Sequence, residues 1–288
     1  MDTTPVPEPM LTNILVDAIH EANVAEGKRP KAFDTMFRHS DAGKCARQIA
    51  FGHLGFDETE PMDLAGHWVT WLGKLLHEHW QKAAEEKYGP DCEVEVKVRF
   101  GDLTSGHLDA LIVIVVNGVK ICFELKSRGV TGFDKAAGFY RQKWVRKEPQ
   151  GPTMNDLLQG SLNALASNAE LLIIGIMGTE CLSKGFAEKV GASDLDRFMA
   201  EWHYTREEFE PLALAELDRL GEIKAWIDRG DLPPRWGLND KGYSTTLDPQ
   251  GDGWECGYCP YRSLCIEAGP FARIGDLRGL KEEADAVQ

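Results

Sequence analysis

Three cysteines stand close together near the end of the chain, in Cys256-Gly-Tyr-Cys259-Pro-Tyr-Arg-Ser-Leu-Cys265, and a fourth, Cys45, lies far upstream. Four thiolates can hold a tetrahedral zinc or a [4Fe–4S] cluster. Two C-x2-C pairs would favour zinc. One such pair, followed by Cys265 and joined by a distant cysteine, fits the cluster better. Between the two groups of thiols lie Gly106-His-Leu-Asp109 and Phe123-Glu124-Leu-Lys126.

Two acids and a lysine at these positions suit metal-assisted hydrolysis of a phosphodiester. Carboxylates are hard oxygen ligands for Mg²⁺ or Mn²⁺. The ion polarises a phosphoryl oxygen and lowers the pKa of a bound water. The lysine orients that water or stabilises charge building on the phosphate. Asn117-Gly118 is a strong signal for a two-residue hairpin turn. If those two residues form the turn, Val116 pairs with Val119, Leu111 with Glu124 and Asp109 with Lys126. Opposed residues share a face, as do residues two apart on a strand. Asp109, Glu124 and Lys126 then project together, and a slip of one position separates them. His107 has the same parity as Asp109. Taken alone, Glu-x-Lys also fits an ion pair at the end of an exposed strand.

Other elements must hold these residues in place. Residues 1–30 read as a flexible start with a short helix over Ile14–Ala25. Ser40 or Asp41 is expected to cap a helix that carries Cys45 in its first turns. Leu64, Trp68, Trp71, Leu72, Leu75 and Leu76 recur at helical spacing and predict a helix over Leu64–Tyr88, stopped by Gly89-Pro90. Strands are expected at Val94–Phe100, Gly106–Val116, Val119–Lys126, Leu171–Met177 and Arg197–Tyr204. Helices are expected at Met154–Glu170 and Arg206–Arg229, the latter stopped by Pro233-Pro234. Residues 127–152 read as a basic loop with a helical piece. The order implies a mixed α/β fold with a central sheet covered by helices. Four regions follow: an N-terminal extension (1–35), a core (36–235), a cysteine-rich segment (236–270) that works with Cys45, and a tail (271–288).

At 288 residues and 43% hydrophobic content the chain can bury a full core. The apolar run Leu111–Val116 is too short to span a bilayer. The acidic, Pro-rich start lacks the pattern of a signal peptide, so a cytoplasmic protein without a membrane partner is expected. In a reducing compartment clustered cysteines read as metal or redox sites. Cys92, Cys122 and Cys181 read instead as buried small hydrophobes. Net charge is −14, yet Lys120–Lys147 holds eight bases against Glu124 and Asp134. In that stretch Phe139-Tyr-Arg141-Gln-Lys143-Trp144-Val-Arg146-Lys147 interleaves cations with aromatics, as single-strand binders do. The same run also fits a solvated helix face with Trp144 turned inward. Arg128 is a further candidate phosphate contact.

At these residues the chain resembles the PD-(D/E)XK nuclease superfamily, in its RecB-type exonuclease branch. It is most similar to the iron–sulfur exonucleases of CRISPR-associated (Cas-four type) and phage-borne origin, and the helicase-nuclease subunit AddB shares the cysteine pattern. Gly73-Lys-Leu-Leu-His77 matches the family's G-x-x-x-H helix, Gly106-His-Leu-Asp109 its metal-binding aspartate and Glu124-Leu-Lys126 its E-x-K. Cys45, Cys256, Cys259 and Cys265 match its cluster ligands in chain order. The likeness covers roughly residues 38–268. It implies a restriction-endonuclease-like mixed sheet flanked by helices, with an iron–sulfur-stapled C-terminal tail. It implies Mn²⁺ or Mg²⁺ held by His77, Asp109 and Glu124, with catalysis by Asp109, Glu124, Lys126 and Gln159. It implies a [4Fe–4S] cluster of structural role. The expected substrate is single-stranded DNA ends, gripped by Arg128, Arg141, Lys143, Trp144, Arg146 and Lys147. Proteins of CRISPR adaptation or recombination are the implied partners, and a homo-oligomer is compatible with the pattern. The family's Gln-x-x-x-Tyr reads here as Gln159-Gly-Ser-Leu-Asn163, with Asn in place of Tyr.

Two other readings compete. In one, the protein is a DNA-end-binding accessory with weak or no cleavage, as Asn163 and the acidic surface suggest. In the other, zinc stabilises the fold and E-x-K is accidental.

Overall fold

The computed structural model describes residues 37–106, 111–116, 118–234, 254–269 and 272–277. Its strands are β1 (Phe37–Arg38), β2 (Cys92–Val94), β3 (Val98–Phe100), β4 (Thr104–Gly106), β5 (Leu111–Val116), β6 (Val119–Arg128), β7 (Phe139–Tyr140), β8 (Val145–Arg146), β9 (Leu171–Gly178) and β10 (Met199–Thr205). Its helices are α1 (Ala46–Leu54), α2 (Leu64–Tyr88), α3 (Val130–Ala137), α4 (Met154–Ala166), α5 (Lys184–Val190), α6 (Arg206–Asp228), α7 (Trp254–Gly257) and α8 (Arg262–Glu267). A 3₁₀ turn, His39–Asp41, precedes α1.

A five-stranded mixed sheet forms the centre, in the order β10-β9-β6-β5-β2. Only β6 and β9 run parallel; the other pairs in this sheet are antiparallel. A crossover is required to join parallel neighbours, and α3, the β7–β8 hairpin and α4 supply it. A second sheet, β1-β4-β3, sits beside α4 and the 3₁₀ turn. The architecture is therefore mixed α/β, with small sheets flanked by helices.

The hairpin expected at Asn117-Gly118 carries the register derived from the sequence. Val116 pairs with Val119 and Leu111 with Glu124. Gly118 has φ +83°, a left-handed value that suits a tight turn. Asp109, His107 and Asn117 lie outside the described residues, as does the helix expected at Ile14–Ala25.

Alternate residues of β6 meet different helices. Phe123 stacks near Trp80 of α2, with ring centroids 5.9 Å apart. A Cβ on Gly73 of α2 would stand 2.7 Å from the Ser127 hydroxyl. Thus α2 covers the odd-numbered face of the strand. Even-numbered residues turn to α4. Gly160 lets α4 approach β9 closely, since a Cβ there would lie 3.2 Å from Leu172. Helix ends are set by capping groups: the Asp63 carboxylate accepts from Gly66 N at 2.8 Å to start α2, and Thr153 and Asp156 form a capping box on α4. Behind α4, α6 buries Ala213, Leu220 and Ile223 against Leu162, Phe37 and Ile49.

Four expectations change. The strand expected at Val94–Phe100 is broken, because Glu95 turns to φ +52° and sends β2 and β3 into different sheets. The strand expected at Gly106–Val116 is likewise divided between sheets, as β4 and β5. Cys45 is the N-cap of α1 rather than a member of its first turns, because the His39–Asp41 turn takes up the preceding chain. Cys181 is exposed, whereas Cys92 and Cys122 are buried. No helix among the described residues is long and apolar enough to cross a membrane.

Candidate active site and thiol cluster

Glu124, Lys126 and Arg128 project from the even-numbered face of β6, and each bonds to another side chain there. Glu124 is buried, 3% exposed. Its Oε1 lies 2.8 Å from Lys126 Nζ, and its Oε2 accepts from Asn163 Nδ2 at 2.7 Å. Lys126 Nζ also donates to Gln159 Oε1 at 2.9 Å. Arg128 makes a two-pronged pair with Asp156, both contacts 2.6 Å. These contacts follow from periodicity: residues 124, 126 and 128 of the strand run along α4, meeting Asn163, Gln159 and Asp156 in turn.

The sequence-predicted residues Glu124, Lys126 and Gln159 are thus brought together. The β5–β6 ladder keeps the expected register from Leu111–Glu124 to Val116–Val119; Asp109 lies outside the described residues. His77 is half-buried on α2, between Gly73 and Trp80. Other residues of that helix, Gly73 and Trp80, meet Ser127 and Phe123 of β6. A carboxylate with two donors already in place retains lone pairs for a cation, and hard oxygen is the donor that Mg²⁺ or Mn²⁺ takes. Glu124 fits that role.

Two residues of this group escaped the sequence reading. Asn163 stood out only as a departure from a tyrosine, and His39 was not singled out. His39 is 1% exposed and Asn163 is fully buried. His39 Nδ1 lies 2.7 Å from Asn163 Oδ1, and its Nε2 lies 3.1 Å from Thr104 Oγ1. Burial pushes the His39 pKa down from 6.5 to about 4, against a smaller upward pull from the bond to Asn163. No sequence signal marks such a contact, since it joins residues 124 apart.

The predicted DNA-contact residues fall into two groups. Arg128 and Arg141 are engaged internally: Arg141 donates to Asp134 Oδ2 at 2.6 Å and to Oδ1 at 3.0 Å. Burial raises the Asp156 pKa, but the Arg128 charge and hydrogen bonds, with Lys126 and Thr153, outweigh it and hold the carboxyl below its usual range. The run Phe139–Lys147 is a β7–β8 hairpin, not a helix. At its turn Trp144 has φ +52° and is 47% exposed. Lys189 Nζ stands 4.9 Å from the Trp144 ring, Arg146 lies over Phe139 and Lys147 over Tyr140. Lys143 is exposed on the same turn.

Two of the four candidate thiols pack against α1. Cys259 and Cys265 pack with Phe51, Tyr261, Leu232 and Ile274. Burial pushes the Cys259 pKa up to about 11; a backbone hydrogen bond at Tyr261 offsets part of this, and the nearby Cys45, Cys265 and Cys256 thiols add to the rise. Arg47, buried on α1, donates to Cys265 Sγ at 3.8 Å and to the carbonyls of Pro233 and Gly269. Cys259, with the Cys45, Cys256 and Cys265 thiols near enough to raise its pKa, and Arg47 beside Cys265 make a donor set that suits an anionic thiolate cluster or zinc. Among the described residues no three His, Cys, Asp or Glu side chains converge tightly enough to hold a metal as they stand.

No protein-family model matches the chain, and no curated protein does. Solved structures do. The crystal structure of SSO0001 aligns over 90% of this chain and 98% of its own, with 18% identity and a TM-score of 0.49. A phage-related exonuclease from Haemophilus somnus 129PT aligns over 64% of this chain and 81% of its own, at 13% identity and a TM-score of 0.40. LHK-Exo in complex with dAMP aligns over 68% of this chain and 91% of its own, at 10% identity and a TM-score of 0.41. LHK-Exo is an alkaline exonuclease from Laribacter hongkongensis.

Proposed function

We propose that the protein is a metal-dependent deoxyribonuclease that removes nucleotides from single-stranded DNA ends. The observation that carries this reading is the buried Glu124–Lys126 pair on one face of β6, 2.8 Å apart, with Gln159 on the lysine. Burying a charge pair without a task is costly, and a carboxylate that can hold a divalent ion beside an ammonium that can stabilise phosphate charge suits hydrolysis at such an ion.

Asp109 and Glu124 supply carboxylates to Mn²⁺ or Mg²⁺, and His77 is the third donor that the resemblance implies. When bound, the ion polarises the phosphate and acidifies water. Lys126 Nζ stabilises negative charge on the attacking or phosphoryl oxygen, and Gln159 fixes the direction of that ammonium. Cys45, Cys256, Cys259 and Cys265 hold a [4Fe–4S] cluster that staples the C-terminal segment to α1. The β7–β8 hairpin, through Lys143, Trp144, Arg146 and Lys147, grips the strand.

The deciding experiment is digestion of end-labelled single strands with Mn²⁺, using wild type, Asp109→Ala and Lys126→Ala. Metal-dependent shortening in wild type alone supports the reading. Cleavage that survives either substitution overturns it. Tight, salt-sensitive DNA binding without any metal-dependent product would favour the accessory role, toward which Asn163 in the tyrosine position points.

A further inference from the structure

We propose that His39 and Asn163 are positioning residues that orient the Glu124 carboxylate for its cation, an inference that rests on the hydrolytic reading of Glu124 and Lys126. Three separated pieces of chain build the device: the 3₁₀ turn holds His39, α4 holds Asn163, and β4 holds Thr104. Glu216 of α6 accepts from Gly43 N at 3.0 Å and so secures the loop that follows His39.

The hydrogen bonds have only one consistent direction. Glu124, paired with Lys126, is an acceptor. The group facing its Oε2 must therefore be the Asn163 amide nitrogen, at 2.7 Å. That choice leaves Asn163 Oδ1, which can only accept, facing His39 Nδ1 at 2.7 Å. His39 must then carry its proton on Nδ1. Its bare Nε2 accepts from the Thr104 hydroxyl at 3.1 Å. Flipping the amide would set two acceptors against each other at Glu124. The neutral imidazole therefore fixes the amide, and the amide fixes the carboxylate.

Thr104 and Asn163 are fully buried, and His39 is 1% exposed. Burying three such polar groups is tolerable because each finds a partner. Glu124 is held from one side by Lys126 and from the other by Asn163, so its plane is defined before a cation arrives. Outer partners of this kind orient ligating carboxylates, and their loss typically costs 10–100-fold in metal affinity or activity. His39 touches neither cation nor substrate in this account; it acts through Asn163.

The test uses the full chain with His39→Phe, His39→Gln and Asn163→Asp. Phe removes the donor, Gln restores an N–H, and Asp keeps the shape of Asn while removing the donor to Glu124. Mn²⁺ affinity is measured by calorimetry, and kcat and KM on single-stranded DNA are measured separately. His39→Phe and Asn163→Asp should each weaken Mn²⁺ binding and lower kcat about 10–100-fold, with KM for DNA within about twofold of wild type. His39→Gln should recover most of both losses. Wild-type Mn²⁺ affinity and kcat in the folded Phe and Asp variants would overturn the proposal. If His39→Phe does not fold, the near-isosteric Asn163→Asp decides alone. If wild type neither binds Mn²⁺ nor cuts, the functional reading fails separately. The ¹⁵N shifts of the His39 imidazole in wild type then judge the relay: a proton on Nδ1 supports it, and a proton on Nε2 alone refutes it.

Discussion

The backbone of Gly73 faces the hydroxyl of Ser127 so closely that an added Cβ would stand 2.7 Å from its oxygen. This contact seats α2 on β6 one residue from Lys126. The same Cβ would lie 3.8 Å from Ser127 Cβ, an ordinary contact. Gly73→Ala should therefore come out near neutral, because turning the Ser127 hydroxyl out of its preferred position costs about 0.5–1.5 kcal/mol and offsets the helix-propensity gain. Ser127→Ala in the same chain should relieve the clash. The double variant should then be at least as stable as wild type, because alanine is favoured over glycine inside a helix by about 1 kcal/mol. Urea unfolding of the four chains measures the coupling; strictly additive effects would contradict the contact.

His39 makes folding pH-dependent. Its pKa falls from 6.5 to about 4 on folding, chiefly by burial. The unfolded chain takes up a proton below pH 6.5 that the folded chain refuses until about pH 4. Its contribution is fully present above pH 6.5 and is lost as pH falls through that window. The loss is on the order of 3 kcal/mol in total, at about 1.4 kcal/mol per pH unit. His39→Gln should flatten this part of the stability profile. Denaturation midpoints at several pH values between neutrality and mild acid test it, and parallel losses in both chains would rule out His39 as the source.

The hairpin register was legible because a two-residue turn leaves few alternatives and because β-branched residues flank it. The long helix Leu64–Tyr88 was legible because its apolar positions repeat with the helical period and Gly89-Pro90 marks its end. Glu95 hid the break between β2 and β3, since alternation of apolar and charged residues continues through the kink. His39 was invisible for a different reason. Its role depends on Asn163 and Thr104, residues 124 and 65 positions away, and no local pattern records such a meeting.

Arg128 was expected to touch phosphate, and in this structure it is paired with Asp156, the third residue of α4, which closes the capping box with Thr153. Arg128→Ala should cost about 1–3 kcal/mol of stability, as loss of a charged hydrogen-bonded partner does. It should leave the salt dependence of DNA binding nearly unchanged. The Asp156 pKa is depressed on folding, so its contribution is present above its unfolded value of 3.8 and is lost as pH falls through the lower folded value. Asp156→Asn should remove that acid-side loss. A marked drop in the salt slope of Arg128→Ala would show instead that the guanidinium leaves Asp156 for DNA.

Loss of one thiol should separate the cluster from the rest of the fold. Cys259→Ser, made anaerobically, should lose the brown colour and most of the iron of wild type. Cys181→Ser should keep both, since Cys181 is exposed and is not one of the four candidate thiols. Local protection of 254–269 should fall in Cys259→Ser, while the β6–β9 ladder keeps its slow amide exchange. Phe51, Tyr261 and Leu232 belong to an apolar cluster separate from the one beneath the central sheet, so the sheet should survive. Zinc in place of iron and sulfide in the wild-type preparation would count against the iron–sulfur proposal.

Trp144 separates stacking from charge. Its ring is 47% exposed at the turn of the β7–β8 hairpin, with Lys189 beside it at 4.9 Å. Stacking a base on such a ring is worth about 1–3 kcal/mol by alanine substitution and carries no counterion release. Trp144→Ala should therefore weaken single-strand binding about 5–150-fold and leave the salt slope as it was. Lys143→Ala should do the reverse: a smaller loss of affinity, and a slope reduced by about 0.7, the value for one phosphate contact on a single strand. Fluorescence titrations at several salt concentrations read both numbers. Equal slopes in wild type and Lys143→Ala, together with unchanged affinity in Trp144→Ala, would move the DNA path away from this hairpin. The Glu124–Lys126 site would then need a different surface to deliver its strand.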